Sequence, residues 1–243
     1  MRGIAVIDSV PQASADQLIS EFRRGRKVLL VRDHSDGEQT GVVAMAAEYC
    51  EPDDVTFMAR KARGLVSLAL TEERCEQLNL PPMVDPATSG AVKLSIEAST
   101  GIDTGISAVD RARTVRVAVA ADAKPSDLVQ PGHIFPVATL SGGVLICTGA
   151  AEAGVDLASL AGLTPAAVFA EVLDVKGEMA NAEALVDFAE KHELTVGRVT
   201  DLVDYRLNHS RTVDLIRSGK EQTGHGEFLL SVYQESTQGH VHM

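Results

Sequence analysis

The 243-residue sequence lacks any apolar run of roughly 18 residues, the minimum that a membrane-spanning helix requires. It also lacks a charged-then-apolar leader with a cleavage site, so we expect a cytoplasmic protein that does not bind membranes. Only three cysteines occur, Cys50, Cys75 and Cys147, and no two of them form a Cys-x-x-Cys pair. This spacing favours reduced thiols in a reducing compartment over disulfides or a cysteine-bound metal.

Positive charge is scarce as well. The 22 lysines and arginines are outnumbered by 34 acidic residues, which gives a formal net charge of −12. Because nucleic-acid binding requires clustered cations that neutralise phosphates, this balance argues against a general nucleic-acid binder. The one compact basic cluster, residues 23–27, lies where a helix is predicted to end, and cations at that position favour the helix itself.

Aromatic residues are few, with no tryptophan, three tyrosines and six phenylalanines, yet 45% of the residues are hydrophobic. A chain of this length and composition can bury a sizeable core in one large domain or two small ones. The sequence shows no internal repeat and no low-complexity segment. The core of such a domain must be built mainly from aliphatic side chains.

Predicted helices and strands alternate along the chain. Ser14 is placed to cap a helix that Gly25 closes, and residues 28–31 form a short apolar strand. Residues 92–98 alternate apolar and polar side chains, as a half-buried strand does. Further helices are predicted over residues 53–63 and 152–161, and from Asn181 and Thr200 onward. This alternation predicts a layered α+β domain.

The composition changes after His209. Residues 218–226 are polar and glycine-rich, which is typical of a linker, and residues 227–233 have the pattern of a single strand. One strand cannot form an independent domain. We therefore divide the chain into a main domain, residues 1–209, and a linker with a short stub, residues 210–243.

Six short segments of the main domain carry residue types suited to small-molecule chemistry. They are Asp-Thr-Gly-Ile-Ser-Ala-Val-Asp-Arg (103–111), Ala-Lys-Pro-Ser-Asp-Leu (123–128), Pro-Gly-His-Ile-Phe-Pro (131–136), Gly-Gly-Val-Leu (142–145), Ala-Glu-Ala-Gly-Val-Asp-Leu (151–157) and Phe-Ala-Glu-Val-Leu (169–173). In this order they closely resemble the 3,4-dihydroxy-2-butanone 4-phosphate synthase family. The resemblance extends from about Gln17 to Arg206 and so covers most of the chain.

This resemblance implies a mixed β-sheet wrapped by helices, a homodimer and a place in riboflavin biosynthesis. The reaction that it implies converts ribulose 5-phosphate into formate and 3,4-dihydroxy-2-butanone 4-phosphate, with magnesium as the cofactor. Residues 227–233 resemble the opening strand of GTP cyclohydrolase II, which follows the synthase domain in bifunctional riboflavin enzymes.

The sequence departs from the family pattern in two loops. Where the family reads roughly Asp-Arg-Glu-Asn-Glu-Gly-Asp, residues 36–42 keep Glu38, while Gly37 replaces an arginine that would meet the substrate. Where the family reads Arg-Gly-Gly-His-Thr-Glu-Ala, Cys147 replaces an arginine and Ala150 replaces a metal-ligating histidine. We therefore expect a degenerate metal and phosphate site, with Glu38 as a weak magnesium ligand.

Three residues are the candidates for catalysis: Glu38, His133 and Glu171. The implied reaction moves protons next to a carbonyl group, and positioned carboxylates and imidazoles perform such transfers. Each residue also has a simpler interpretation. Glu38 is equally a solvated loop acid, and His133 a core histidine with a satisfied ring. Glu171, in an otherwise apolar strand, needs a partner or a functional reason, because an isolated buried carboxylate is costly.

The resemblance implies that substrate binding involves Thr104, Arg111, Cys147, Thr148, Gly149, Ala150 and Ala151. Arg111 is placed either to bind an anion or to pair with Asp110 or Asp103. Cys147 is either an exposed nucleophile or a small buried filler. Two hypotheses follow: a family enzyme with an altered substrate, or a catalytically inactive family member with a structural or regulatory role.

Overall fold

A mixed seven-stranded sheet forms the centre of the computed structural model, which describes residues 11–84, 91–211, 213–235 and 241–242. Within these ranges the strands follow the order β4-β5-β3-β6-β2-β1-β7. Their bounds are β1 (Val28–Asp33), β2 (Gln39–Ala46), β3 (Ser67–Thr71), β4 (Ile96–Ala98), β5 (Leu128–Thr139), β6 (Ala166–Glu171) and β7 (Thr195–Arg198). The β3–β5 and β1–β7 pairs are parallel, and the other pairs are antiparallel.

Helices cover both faces of this sheet. Their bounds are α1 (Ala15–Arg23), α2 (Pro52–Phe57), α3 (Glu72–Gln77), α4 (Ala108–Val119), α5 (Ala150–Leu160), α6 (Ala182–His192) and α7 (Val199–His209). Residues of α1, α5 and α7 form one buried apolar cluster, and residues of α2, α3, α4 and α6 form a second. No helix in the described ranges has the length and apolarity needed to span a bilayer. The predicted α+β fold, a mixed sheet wrapped by helices, is confirmed.

Local sequence signals account for several of these boundaries. Ser14 and Gln17 form a capping box at the start of α1, and Gly25 follows the helix with a φ of 69°. Asn181 caps α6, as the sequence predicts. The predicted strand over residues 92–98 is regular only in β4, because its first residues form isolated bridges.

The C-terminal segment forms a separate three-stranded sheet of β8 (Val213–Thr223), β9 (Gly226–Glu235) and β10 (Val241–His242). The prediction of a linker over residues 218–226 is wrong for most of that segment, which belongs to the β8–β9 hairpin. Cross-strand contacts explain the pairing: Ser218 meets Ser231, and Lys220 pairs with Glu227 at 2.8 Å. The division of the chain near residue 209 stays a prediction.

Candidate active site

Strand register brings His133 and Glu171 to the same level of the sheet. Ser67 of β3 pairs with Phe135 of β5 and also with Phe169 of β6. His133 lies two residues before Phe135, and Glu171 lies two residues after Phe169 on a strand of opposite direction. Both therefore fall at one level, separated by two strand spacings, or about 10 Å between Cα atoms.

The two side chains also share a face of the sheet. Phe169 belongs to the buried cluster under α5, and Val137 packs against the same cluster. Because side chains alternate along a strand, Glu171 and His133 lie on that face too. Ile134, the neighbour of His133, is buried in the cluster on the opposite face. One end of the sheet thus presents both candidate catalytic groups on the α5 side.

Glu97 of β4 holds the ring of His133. The Nδ1 atom of His133 contacts the Oε1 atom of Glu97, whose side chain is 15% exposed against 40% for His133. A neutral imidazole that donates its Nδ1 proton to a carboxylate keeps Nε2 as an acceptor. The His133 ring therefore has a fixed orientation and a nitrogen that can take up a proton.

The backbone at Gly105 packs directly on the Glu97 carboxylate. A Cβ atom at Gly105 would lie 1.5 Å from Glu97 Oε1, and the glycine has a φ of +78°. The left-handed φ favours glycine at this position, and a side chain there would displace the Glu97 carboxylate. Glu97 was not predicted as a site residue, although an acidic residue within the alternating strand pattern of residues 92–98 is a usable signal.

The loop that carries Thr104 is fixed by Asp110 in the first turn of α4. The Asp110 carboxylate accepts hydrogen bonds from the amides of Gly105 at 3.0 Å and Asp103 at 3.4 Å. Burial alone raises the pKa of Asp110, but the hydrogen bonds from Ser107, Gly105 and Asp103 outweigh it and lower the pKa below its usual value. The amide of Gly105 is thereby used within the protein, while Thr104 is exposed.

Arg111 makes no ion pair with Asp110 or Asp103 within the described residues, so that alternative is wrong. Its Nε atom is buried and has no hydrogen-bond partner. Burial lowers the pKa of Arg111. An anionic ligand remains the other interpretation of this side chain.

Glu38 lies away from the His133–Glu171 level. The β1–β2 hairpin continues its pairing beyond the strands, since the amide of His34 donates to the carbonyl of Glu38 at 2.9 Å. Val42, which pairs directly with Glu171, is four residues or about 13 Å along the strand from Glu38. Glu38 is exposed on the turn. His133 and Glu171 therefore lie at one level of the sheet, whereas the extended hairpin carries Glu38 outward.

The two altered loops separate into buried and exposed positions. Val42, Ala150 and Ala151 are at most 6% exposed and belong to the apolar cluster under α5. Thr148 is exposed, and Gly149 is the N-cap of α5 without a side-chain cap. Cys147 is also exposed, so its interpretation as a buried filler is wrong. The substituted side chains at positions 42, 150 and 151 have become part of the core.

Residues 16–205 match the sequence profile of 3,4-dihydroxy-2-butanone 4-phosphate synthase. The chain belongs to this family. It is 48% identical to the 3,4-dihydroxy-2-butanone 4-phosphate synthase of Pseudomonas syringae pv. tomato, over 94% of this chain and 62% of that protein. It is 43% identical to the riboflavin biosynthesis protein RibBA of Aquifex aeolicus, over 93% of this chain and 57% of that protein.

Solved structures agree with the family assignment. The chain matches RibBX, a two-domain 3,4-dihydroxy-2-butanone 4-phosphate synthase of A. baumannii, with a TM-score of 0.84 and 45% identity. That match covers 94% of this chain and 68% of RibBX. A 3,4-dihydroxy-2-butanone 4-phosphate synthase in complex with two magnesium ions matches with a TM-score of 0.74 and 32% identity, over 81% of this chain and 98% of that one. The chain spans less than two thirds of its curated Pseudomonas syringae relative.

The described residues do not form a magnesium site with three or more grouped His, Cys, Asp or Glu ligands. Magnesium prefers near-octahedral oxygen coordination. Within the described ranges, no three His, Cys, Asp or Glu side chains are grouped to hold a metal ion. Glu38 is exposed on its turn, and Ala150 supplies no ligand atom. A magnesium ion bound here would take most of its oxygen ligands from water and substrate.

A cavity of about 420 Å³ lies at the other end of the sheet, where β3 and β5 finish. Asp156 and Arg206 form a 2.5 Å ion pair in its wall, and the amide of Val144 donates to Asp156 at 3.0 Å. Burial raises the pKa of Asp156 despite these two favourable contacts. None of the sequence-predicted site residues lines this cavity.

Proposed function

We propose that this family member is an enzyme acting on ribulose 5-phosphate or a less charged analogue. The family reaction would form formate and 3,4-dihydroxy-2-butanone 4-phosphate in riboflavin biosynthesis. The observation that carries this proposal is the placement of His133 and Glu171 at one level and on one face of the sheet. The contact from Glu97 to His133 adds the orientation that a proton-transfer group requires.

His133 and Glu171 have distinct parts in this proposal. His133 takes a proton from a carbon next to the carbonyl through Nε2, while Glu97 stabilises the imidazolium that forms. Glu171, at the end of β6, handles the proton of a hydroxyl or carbonyl oxygen on the other side of the ligand. A five-carbon substrate lying between β5 and β6, just beyond the first residue of β3, would contact both groups.

The altered loops support a change in substrate handling. Gly37 and Cys147 provide no cationic side chain, and Ala150 provides no metal ligand. A pocket with fewer charges favours a less charged ligand. One structure of a related synthase is a complex with two magnesium ions. If magnesium binds here, Glu38 would hold it weakly at the β1–β2 turn, and the ion would supply charge stabilisation to the ligand oxygens that reach that turn.

The test is formate release from ribulose 5-phosphate by the purified chain, with and without magnesium. Proton NMR identifies formate and the four-carbon product in one spectrum. Formation of both supports the family reaction, and consumption of the sugar without formate indicates altered chemistry. A sugar phosphate that remains unchanged, together with unchanged dephosphorylated analogues, would contradict the enzymatic proposal.

A non-catalytic structural or regulatory role is the second candidate. The packing of Val42, Ala150 and Ala151 into the apolar core favours it, because these side chains now stabilise the fold. In that case Glu171→Gln should raise the melting temperature, since no cation pairs with the Glu171 carboxylate within the described residues. A lower melting temperature would count against this role.

We expect a cytoplasmic homodimer of about 51 kDa, twice the 25.7 kDa chain mass. Light scattering at several protein concentrations measures the mass in solution. A monomer at every concentration would contradict the dimer and any site shared between subunits.

A further inference from the structure

Arg32 of β1 lies on the same face of the sheet as Glu171. Leu30 pairs with Val42 and belongs with it to the apolar cluster under α5. Side chains two residues apart on a strand share a face. Arg32 therefore points to the α5 side, next to its cross-strand partner Thr40.

The Arg32 guanidinium is unpaired. Its Nε atom is buried without a hydrogen-bond partner, and no ion pair to Arg32 is formed within the described residues. Acidic side chains lie close by in sequence, but Asp33 accepts from Gln39 at 2.7 Å, and Asp36 accepts from the amide of Glu38. Buried donors in native proteins usually have partners, so this nitrogen leaves a hydrogen bond that a water or a ligand oxygen can complete.

The position of Arg32 suits an anion at one end of a ligand in the candidate active site. From Arg32 to Glu171 the path crosses two strand spacings and two residues, or about 12 Å between Cα atoms. Because the arginine side chain is long, the Arg32 guanidinium can lie much closer than this to a ligand that contacts Glu171. Thr40 adds a hydroxyl group on the same face, and this hydroxyl forms a 2.8 Å hydrogen bond with His34 Nε2.

We propose that Arg32 binds the phosphate group of the ligand whose reacting carbons lie at His133 and Glu171. This inference rests on the proposed function for the site, and it supplies the guanidinium that positions 37 and 147 lack. Guanidinium groups bind phosphate oxygens through two parallel hydrogen bonds, and Arg32 has an unused donor for this geometry. The chemical class of the ligand is a phosphate monoester.

Arg111 is the competing cation, because its Nε atom is also buried and unpartnered. Arg111 belongs to α4, whose buried residues pack on the other face of the sheet. Arg32 is on the face of His133 and Glu171. Geometry therefore favours Arg32, and the two side chains can be distinguished by substitution.

The test measures binding of ribulose 5-phosphate and of inorganic phosphate by calorimetry, using the full chain. The variants are Arg32→Gln, Arg32→Lys and Arg111→Gln, with Arg26→Gln as a control on an exposed arginine. Arg32→Gln should weaken binding of both probes about 10- to 100-fold, because a charge-assisted contact is lost. Arg32→Lys should weaken it less. Arg111→Gln should weaken it less than Arg32→Gln does, and the Arg26 variant should bind as the wild type does.

Thermal melting checks that each variant is folded. If Arg32→Gln does not fold, Arg32→Lys still tests the proposal, because lysine cannot form the two-pronged contact and must bind measurably more weakly. Equal binding by the wild type and the folded Arg32 variants overturns the proposal, as does loss of binding in Arg111→Gln alone. A wild-type chain that binds neither probe overturns it too. Phosphate binding through Arg32 without formate release would refute the proposed reaction and leave this inference standing.

Discussion

Replacing Gly105 by alanine should destabilise the protein more than the same replacement at Gly177. The two glycines have similar positive φ angles, +78° and +87°. A Cβ at Gly177 would meet no atom within 4 Å, whereas a Cβ at Gly105 would lie 1.5 Å from Glu97 Oε1. The pair therefore separates backbone strain from displacement of Glu97.

The magnitudes follow from these contacts. A non-glycine residue in the left-handed region costs about 1–2 kcal/mol, and we expect this loss in Gly177→Ala. In Gly105→Ala the Glu97 carboxylate must also move, which breaks its contact with His133 and leaves a largely buried acid without that partner. Loss of such a contact costs about 1–3 kcal/mol more.

Urea unfolding followed by circular dichroism measures both losses, and formate release measures the effect on the site. Gly105→Ala should be less stable than Gly177→Ala and should show lower activity, while Gly177→Ala keeps the wild-type rate. Equal destabilisation by the two substitutions would refute the role assigned to Gly105 in holding Glu97.

Three further predictions concern the metal, the pH dependence and the thiols. Calorimetric titration of the ligand-free chain should show no saturation at low millimolar magnesium, and tight binding by the wild type would contradict this. Ala150→His together with Ala151→Thr should restore measurable magnesium affinity. The pKa of Asp110 is lowered in the folded state. Its ionised carboxylate therefore stabilises the fold above about pH 4, and this contribution is lost as the pH falls through the folded pKa. The wild type should therefore exceed Asp110→Asn in unfolding free energy at pH 7, and the difference should shrink in acid; a difference that grows as the pH falls would reverse the assignment. A thiol reagent should modify exposed Cys147 in the folded chain but spare Cys50 and Cys75, since burial raises the pKa of each of these two to about 12; rapid reaction of all three would show that the fold opens.

Much of the fold was predictable from sequence because its signals are local. The cap at Ser14 and the cap at Asn181 depend on residues within one helical turn, and both helices begin as expected. The β8–β9 hairpin was not predictable from sequence, because its polar strand is stabilised by a partner strand that composition does not reveal. Short polar segments are easily mistaken for linkers when their cross-strand contacts are unknown.

The candidate site was only partly predictable for the same reason. His133 and Glu171 were found through their motifs, but their shared level depends on the register of three strands. The contact between Glu97 and His133 joins residues 36 positions apart, which no local pattern reports. Arg32 was missed because its significance lies in a buried nitrogen without a partner.

Formate release from ribulose 5-phosphate, compared between the wild type, His133→Asn and His225→Asn, tests the central claim most directly. His225 is exposed in the turn of the β8–β9 hairpin and provides the matched control. The wild type and His225→Asn should release formate at equal rates, and His133→Asn should be slower by about 100-fold or more, as expected for loss of a general base. An unchanged rate in His133→Asn, or no release by the wild type above background, would contradict the account.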